Sequence, residues 1–404
     1  MNFQVIFASL GLTLSFLSHV YSQERQLPDI LWNSNSMEIV RQRVKVGDGD
    51  LRDSINQLIS EADRSMAGSL VSVTHKSADL FSPSGNPHDF VSVSTYHWPN
   101  ESDPKAPWVW KDGNFNRAMI EKYDSPRLKS MTVRVIDGTL AWWFTGKDEY
   151  AKMAVDQLRC WFIDDETKMT PHLEYAQFIP NSHDSRGKSF GIIDTRNFVP
   201  MLSAVKLLYQ GGKINDKDVE LLRDWFRSYV NWLVTSDLGI EESNRSNNHG
   251  VFYDLQVSAY AMFVGNDDLV NKILGDYPDR RLVAQIGVDG AMQRELKRAD
   301  AGTYSVFNLL GMSQMICLSQ SAGVDLLVWT SQDGRSMKGA VRWFVPFVDG
   351  GDWGYTGSFS SNKFAENLRM IASSSADQEM IQLSERIPPD QKSRIHLLYP
   401  LPPK

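Results

Sequence analysis

The feature that most constrains this chain is a helical repeat of apolar residues that returns along nearly its whole length. Ala151, Ala154, Val155, Leu158, Trp161 and Phe162 fall on one stripe at three-and-four spacing. Leu222, Trp225, Phe226, Tyr229 and Leu233 do the same, as do Leu51, Ile55, Leu58, Ile59 and Ala62. Comparable patterns predict helices at 126–145, 196–210, 251–264, 303–320, 337–348 and 363–374. Strand-like runs are few, and Phe90-Val91-Ser92-Val93-Ser94 is the best of them.

The connections between these helices carry a weak repeat of their own. Gly146-Lys147-Asp148, Gly211-Gly212-Lys213 (then Asp216) and Gly265-Asn266-Asp267 each follow one apolar helix and precede another. Glycine ends a helix in the left-handed conformation, and the acidic residue then favours the N-terminus of the next. Short turns of this kind make neighbouring helices antiparallel. The expected fold class is therefore all-α, with helical hairpins laid side by side and curling into a solenoid or toroid. Long polar loops at 76–125, 163–195, 236–250 and 349–362 are where function is expected.

Composition fits this picture. The chain has 404 residues, 42% hydrophobic and 23% charged, which excludes a disordered or low-complexity protein. Its 42 Lys and Arg against 49 Asp and Glu give a net charge of −7, the wrong footprint for general nucleic-acid binding. A cleft can still be locally basic on an acidic protein, so a polyanionic ligand stays open. Twelve Trp, thirteen Tyr and nineteen Phe supply both core and stacking surfaces.

The first 22 residues carry no Lys, Arg, Asp or Glu, and Val5 to Leu17 is an apolar run too short for a membrane span. This segment reads as a secretory signal peptide cleaved near Ser22/Gln23, the alternative being a buried apolar helix. The mature chain, 23–404, then reads as one domain, periplasmic or secreted, with no further membrane-spanning stretch. Cys160 and Cys317 lie in apolar helical patterns and fit either a bridge or two buried thiols.

Two well-known motifs occur without their context. Gly187-Lys188-Ser189-Phe190-Gly191 matches a nucleophile elbow, yet the residues before it are a polar loop and not a buried strand. The eight His residues show neither HExxH nor paired i,i+4 spacing, so no metal site is expected. Asn247-Asn248-His249-Gly250 is more informative, because it opens the apolar helix expected from about Val251. A His and an amide at a helix N-terminus suit a carboxylate ligand; a plain Asn cap with a surface His is the alternative. Arg298 and Tyr304 lie either side of Ala301-Gly302, a turn able to aim both into one cleft, or else to leave Arg298 solvated and Tyr304 in the core.

Taken together, these blocks resemble the α/α-toroid alginate lyases, a family that includes poly-mannuronate lyases. The matching pieces are His88-Asp89-Phe90, Tyr96-His97-Trp98-Pro99-Asn100, Trp108 to Asn116 with Lys111-Asp112-Gly113, and Leu173-Glu174-Tyr175-Ala176-Gln177. Arg186-Gly187, Gly191-Ile192-Ile193-Asp194-Thr195, Asn247-Asn248-His249-Gly250 and Asp289-Gly290 through Glu295-Leu296, Arg298 and Tyr304-Ser305 follow in order. The resemblance implies a toroid or incomplete barrel of antiparallel helical hairpins with long cleft-lining loops. It departs at His97, where a bulky aromatic is expected, and in the charged stretch Asn181 to Ser185.

The resemblance also implies β-elimination in an anionic uronate polysaccharide, without metal or cofactor. Neutralising the substrate carboxylate, by Arg298, Asn248 and His249, stabilises the charge that develops when C5 loses its proton. A base takes that proton and an acid protonates the departing O4. In mannuronate both groups lie on one face, so Tyr304 alone can serve as base and acid in a syn elimination, which needs its pKa lowered by Arg298 or another cation; His249 is then either a carboxylate partner or the base for an anti elimination. Tyr96, His97, Trp98, Gln177, Arg186 and Asn247 are the expected sugar-binding residues. Other uronate polymers, such as glucuronan or a glycosaminoglycan, and a non-catalytic polysaccharide-binding role are the alternatives. A glycoside hydrolase would need two opposed carboxylates, and nothing ties Glu174, Asp184 and Asp194 together.

Overall fold

The computed structural model describes residues 26–182, 186–375 and 377–402. The apolar leader, Ser22/Gln23, and the loop residues His183, Asp184 and Ser185 lie outside the described residues. The principal helices are α1 (Ser34–Lys45), α2 (Arg52–Met66), α3 (Ser125–Thr145), α4 (Asp148–Leu158), α5 (Phe198–Gln210), α6 (Asp216–Thr235) and α7 (Asp237–Ser243). They are followed by α8 (Asn248–Val264), α9 (Asp267–Tyr277), α10 (Ala301–Ser321), α11 (Met337–Val348), α12 (Ser361–Ser374) and α13 (Gln378–Arg386). Short strands are β1 (Val91–Val93), β2 (His97–Trp98), β3 (Val109–Trp110) and β4 (Tyr175–Phe178).

Helices α3, α5, α8, α10 and α12 pack each against the next. Behind them, α2 and α4 lie against α3, α6 and α9 against α8, and α13 against α12. This is the expected all-α toroid, an inner row of helices backed by an outer one. The sequence explains who goes where. α8 and α10 are buried along nearly every residue, as an inner helix must be. α6 buries only Val219, Leu222, Trp225, Phe226, Tyr229, Val230 and Leu233 with Asp218, one stripe, and leaves the rest to solvent. One apolar cluster runs from Leu27 to Tyr399 through this stack.

The turn repeat has the predicted chemistry. Gly146 and Gly265 end α3 and α8 in the left-handed conformation, with φ of 76° and 78°, and Asp148 and Asp267 begin the next helices. In the middle connection Gly212, at φ 68°, takes that role, while Gly211 stays at negative φ against the Trp142 ring. Cys160 and Cys317 are both buried free thiols, so the bridge is not formed. Among the described residues no helix is long and apolar enough to cross a membrane.

The loops carry the strands. β1 pairs in parallel with β4, Val91 opposite Tyr175 and Val93 opposite Phe178, so β4 holds one residue more than β1. That bulge puts Gln177 at φ +48°, an uncommon conformation for a non-glycine residue. The entry to β1 is fixed by Lys76, whose buried ammonium donates to the carbonyls of Val73, Pro87 and Asp89 and lies 2.9 Å from Asp124. Asp124 in turn accepts from the Val91 N–H.

Candidate active site

The β2–β3 hairpin, with His97 opposite Trp110 and Trp98 opposite Val109, brings an aromatic group over the N-terminus of α10. Tyr96, just before β2, packs edge-on to Trp110 and against Phe115, at centroid distances of 5.0 and 4.9 Å. Its hydroxyl shares a hydrogen bond with that of Tyr304. His97 is buried inside the hairpin, its Nδ1 on the Ser94 hydroxyl at 2.7 Å and its ring against Trp110. It therefore packs the hairpin from within. Trp98 donates its indole N–H to the Asn114 carbonyl, and Lys111 lies over its ring.

Arg298 meets the same hairpin. Its Nε and Nη2 donate to the two oxygens of Asp112 at 3.1 and 2.6 Å, and the Ala299 N–H reinforces the clamp. The guanidinium carbon sits 3.5 Å from the Tyr304 ring centroid, the close stacking that planar guanidinium permits. Burial opposes the charge on Arg298, yet the Asp112 bond together with the charges of Tyr304, Asp112 and Glu295 outweighs it and holds its pKa above the usual value. Arg298 does act to lower the Tyr304 pKa, the direction a Tyr304 base would need, but other influences outweigh it. Burial, and then the hydrogen bond that Tyr304 gives to Tyr96, push the Tyr304 hydroxyl well above the usual phenol range; Arg298 pulls the other way and loses. Resting Tyr304 is a neutral phenol.

Asn248 and His249 form the first turn of α8, which begins three residues earlier than the apolar pattern suggests. Asn247 stands at the cap position without a capping side-chain bond. A distant carboxylate does that work: Glu295 accepts from the Asn248 N–H at 2.8 Å and from its amide at 3.0 and 2.9 Å. The helix N-terminus does bind a carboxylate as expected, but the protein's own. Asn248 is 1% exposed, so its amide is committed to Glu295 and is not displayed to a ligand. Burial raises the Glu295 pKa, against the pull of Asn248, Arg298 and His249. His249 Nδ1 lies 2.7 Å from a carboxylate oxygen of Glu242, itself fully buried. A carboxylate only accepts, so Nδ1 carries the proton and Nε2 keeps a lone pair.

The floor is built by the β4 bulge. Gln177 donates to Asp194 at 2.6 Å, and Ser92 of β1 donates to the other Asp194 oxygen at 2.8 Å. Burial raises the Asp194 pKa despite these two bonds. The Gly187–Gly191 turn lies flat on β4: a Cβ on Gly187 would come 2.4 Å from the Ala176 carbonyl oxygen, and one on Gly191 would come 2.6 Å from it. The glycines of the elbow-like motif thus serve close packing, and buried Ser189 accepts from Arg245. Arg186 pairs with Glu174 at 2.6 Å, which also accepts from the Trp232 indole. Glu174 and Asp194 are each tied up in this way and do not face one another as a hydrolase pair. Among the described residues no group of three or more His, Cys, Asp or Glu is arranged to hold a metal ion.

A family model described as alginate lyase matches residues 72–353, and it spans every residue just described. The chain belongs to the alginate lyase family. Membership makes it an alginate-cleaving polysaccharide lyase. The chain is 32% identical to an alginate lyase from Bacteroides ovatus of known crystal structure, with a TM-score of 0.86 over 92% of this chain and 99% of that one. Alginate lyase A1-III from Sphingomonas species A1 shares the fold at 13% identity, TM-score 0.59, over 92% and 98% of the two chains. A tyrosine-to-phenylalanine form of A1-III complexed with a tetrasaccharide aligns at 14% identity and TM-score 0.56, over 91% and 95%. No functionally curated protein sequence matches the chain.

Within this family member, the structure gathers Tyr96, Tyr304, Arg298, Asn248 and His249 around Glu295 and Asp112. Gln177 lies in the floor, Arg186 is held by Glu174 beside Trp232, and Asn247 supplies only its carbonyl, to Gln285. Sequence reasoning gave Glu242 no part in the site and did not foresee that Glu295 holds the start of α8. Glu242 and Glu295 look like ordinary charged surface positions, and only the fold shows them to be buried.

Proposed function

We propose that this lyase acts on mannuronate-rich alginate by syn β-elimination, with His249 as base and Tyr304 as acid both working from the one face that carries the C5 hydrogen and O4. His249 Nε2 takes the C5 proton, the electron pair forms the C4–C5 double bond, and the C4–O4 bond breaks. Tyr304 gives its proton to O4, and solvent returns the proton from His249 to the phenolate. The observation that supports this division is the hydrogen bonding of the two groups. Tyr304 shares its hydroxyl with Tyr96 and is kept protonated by burial, and Glu242 holds His249 Nδ1 so that Nε2 is the nitrogen left for substrate. Arg298 over the Tyr304 ring stabilises the phenolate left behind. Asn248 and Glu295 hold the first turn of α8 against the segment that leads to Arg298. Tyr96, Trp98, Gln177, Arg186 and Asn247 line up as sugar-positioning groups, with Tyr96 the one that touches the acid.

The mannuronate preference rests on the resemblance of the ordered blocks to poly-mannuronate lyases. The charge-free apolar leader supports export, so the enzyme works in the periplasm or outside the cell, where polymer is met. The test is a panel of mannuronate, guluronate, glucuronan and glycosaminoglycan polymers followed for new ultraviolet absorbance from unsaturated ends. Mannuronate blocks should give the fastest rise. Saturated reducing ends without that absorbance would overturn elimination, and Met1 found intact on exported protein would overturn the signal peptide.

A further inference from the structure

The two helices that carry His249 and Tyr304 are joined by more than apolar packing. His249 stands on the first turn of α8 and Tyr304 on the first turn of α10. Where the helices touch, Phe252 stacks on Phe307 at a centroid distance of 4.5 Å, and a Cβ on Gly311 would come 2.9 Å from Val251. Apolar contact of this kind is non-directional and does not by itself fix one helix along the other.

The segment between α9 and α10 adds direction. It begins with the π-helical turn Pro278–Val283, from which the buried Arg281 reaches α8. Arg281 donates to the two oxygens of Asp254 at 2.6 and 3.0 Å, and to the carbonyls of Ser243 and Arg245 at 2.8 and 2.7 Å. The approach to α8 is thus held from behind. Arg335 anchors the segment itself, donating to the Val283 carbonyl at 2.7 Å.

Two residues on stands Gln285, also buried. Its Nε2 donates at 3.1 Å to the carbonyl of Asn247, the cap of the turn that holds His249. Its Oε1 accepts at 2.9 Å from Nδ2 of the buried Asn308. Asn308 follows Tyr304 by four residues, one turn further on the same face of α10. A carbonyl only accepts, so the Gln285 amide has one workable orientation and Asn308 must donate into it. A buried polar chain with its bonds made selects one arrangement where apolar packing permits several.

We propose that Gln285 is a positioning residue for the elimination: through Asn247 and Asn308 it fixes the base on α8 relative to the acid on α10. This rests on the assignment of His249 and Tyr304 given above. A base and an acid that work from one face of a sugar tolerate little error, and a shift of about 1 Å caused by a distant change can cost about a hundredfold in rate.

The test compares wild type, Gln285→Met, Asn308→Leu and the double variant on mannuronate-rich alginate, with thermal melts to confirm folding. Gln285→Met keeps the length of the side chain and removes both hydrogen bonds. Its kcat should fall about tenfold to a hundredfold. KM should stay within about threefold of wild type, the pattern of an interaction that acts in the transition state. Asn308→Leu cuts the same chain at its other end, so it should show the same split, and the double variant should be little worse than either single one. If Gln285→Met does not fold, Asn308→Leu carries the comparison. A lower melting temperature with kcat intact would make Gln285 structural only and overturn the proposal, as would a rise in KM alone. Losses that simply add in the double variant would overturn the chain. His249→Ala and Tyr304→Phe are measured alongside. If either keeps wild-type turnover, the assignment of base and acid fails; if both are inactive and Gln285→Met is fully active, the positioning role alone is lost.

Discussion

The guanidinium of Arg298 lies flat on the ring of Tyr304, 3.5 Å from its centroid, while its donor edge holds Asp112. The stacked cation faces the π-system and leaves the hydroxyl free to meet Tyr96. Tyr304→Phe keeps the ring, and so the stacking, but removes the proton. Turnover should be abolished, while polymer binding and the melting temperature stay nearly unchanged. The lost hydrogen bond costs only about 1 kcal/mol. Residual turnover above roughly a tenth of wild type, well over what a proton-transfer group leaves behind, would remove Tyr304 from the mechanism.

Asp112 is the residue that aims Arg298. In Asp112→Asn one oxygen becomes a donor, and the two-point contact is lost. kcat should fall about tenfold to a hundredfold, the cost of roughly 1.4–2.8 kcal/mol in transition-state stabilisation. Because the pair acts as a unit, Asp112→Asn combined with Arg298→Gln should be little worse than Arg298→Gln alone. A double mutant whose losses simply add would show that the two residues act independently.

How much of this was legible in the sequence depends on the kind of signal. The buried face of a helix with one apolar stripe, such as α6, was legible because periodicity reports burial directly. The Gly146 and Gly265 turns were legible because a left-handed residue favours glycine. The blocks Asn247–Gly250 and Arg298–Tyr304 were legible as chemistry, but not their partners. Glu295 caps α8 across a gap of 47 residues, and Glu242 is buried by a short helix, α7, that no apolar pattern announced. The β4 bulge at Gln177 arises from a parallel pairing between segments more than 80 residues apart, which local propensity does not encode. The net Tyr304 pKa was not legible for the same reason: the nearby cation was visible in sequence, the burial was not.

Glu242 sets the tautomer of His249, and it does so without reaching solvent. Glu242→Gln keeps the size but offers an amide that can donate as well as accept, so Nε2 no longer has a fixed lone pair. kcat should drop by about two to four orders of magnitude, as when a buried carboxylate that orients a catalytic His is neutralised. KM for the polymer should change little, since Glu242 does not touch sugar. A variant with normal kcat would show that His249 is not the base.

Asp89 gives a pH-dependent prediction about the loops that carry the site. Its carboxylate accepts from Ser82, Ser84, Asn86 and Thr170, and lies 3.3 Å from His172. It thereby joins the 82–89 loop before β1 to the 170–172 loop before β4. Burial alone would raise its pKa, but the bonds from His172, Ser84, Ser82 and Thr170 outweigh it and hold the group far below the ordinary value of 3.8. A depressed folded-state pKa means stability that is fully present above the unfolded value and is lost as pH falls toward the folded one. Urea unfolding should therefore show Asp89→Asn well below wild type in stability at pH 6, because the amide cannot accept the same set of donors. At pH 3 the unfolded wild-type carboxyl is mostly protonated while the folded one is not, and the gap should narrow by about 1 kcal/mol. A gap of the same size at both values would mean that the bonds to Asp89 stabilise the loops without regard to its charge.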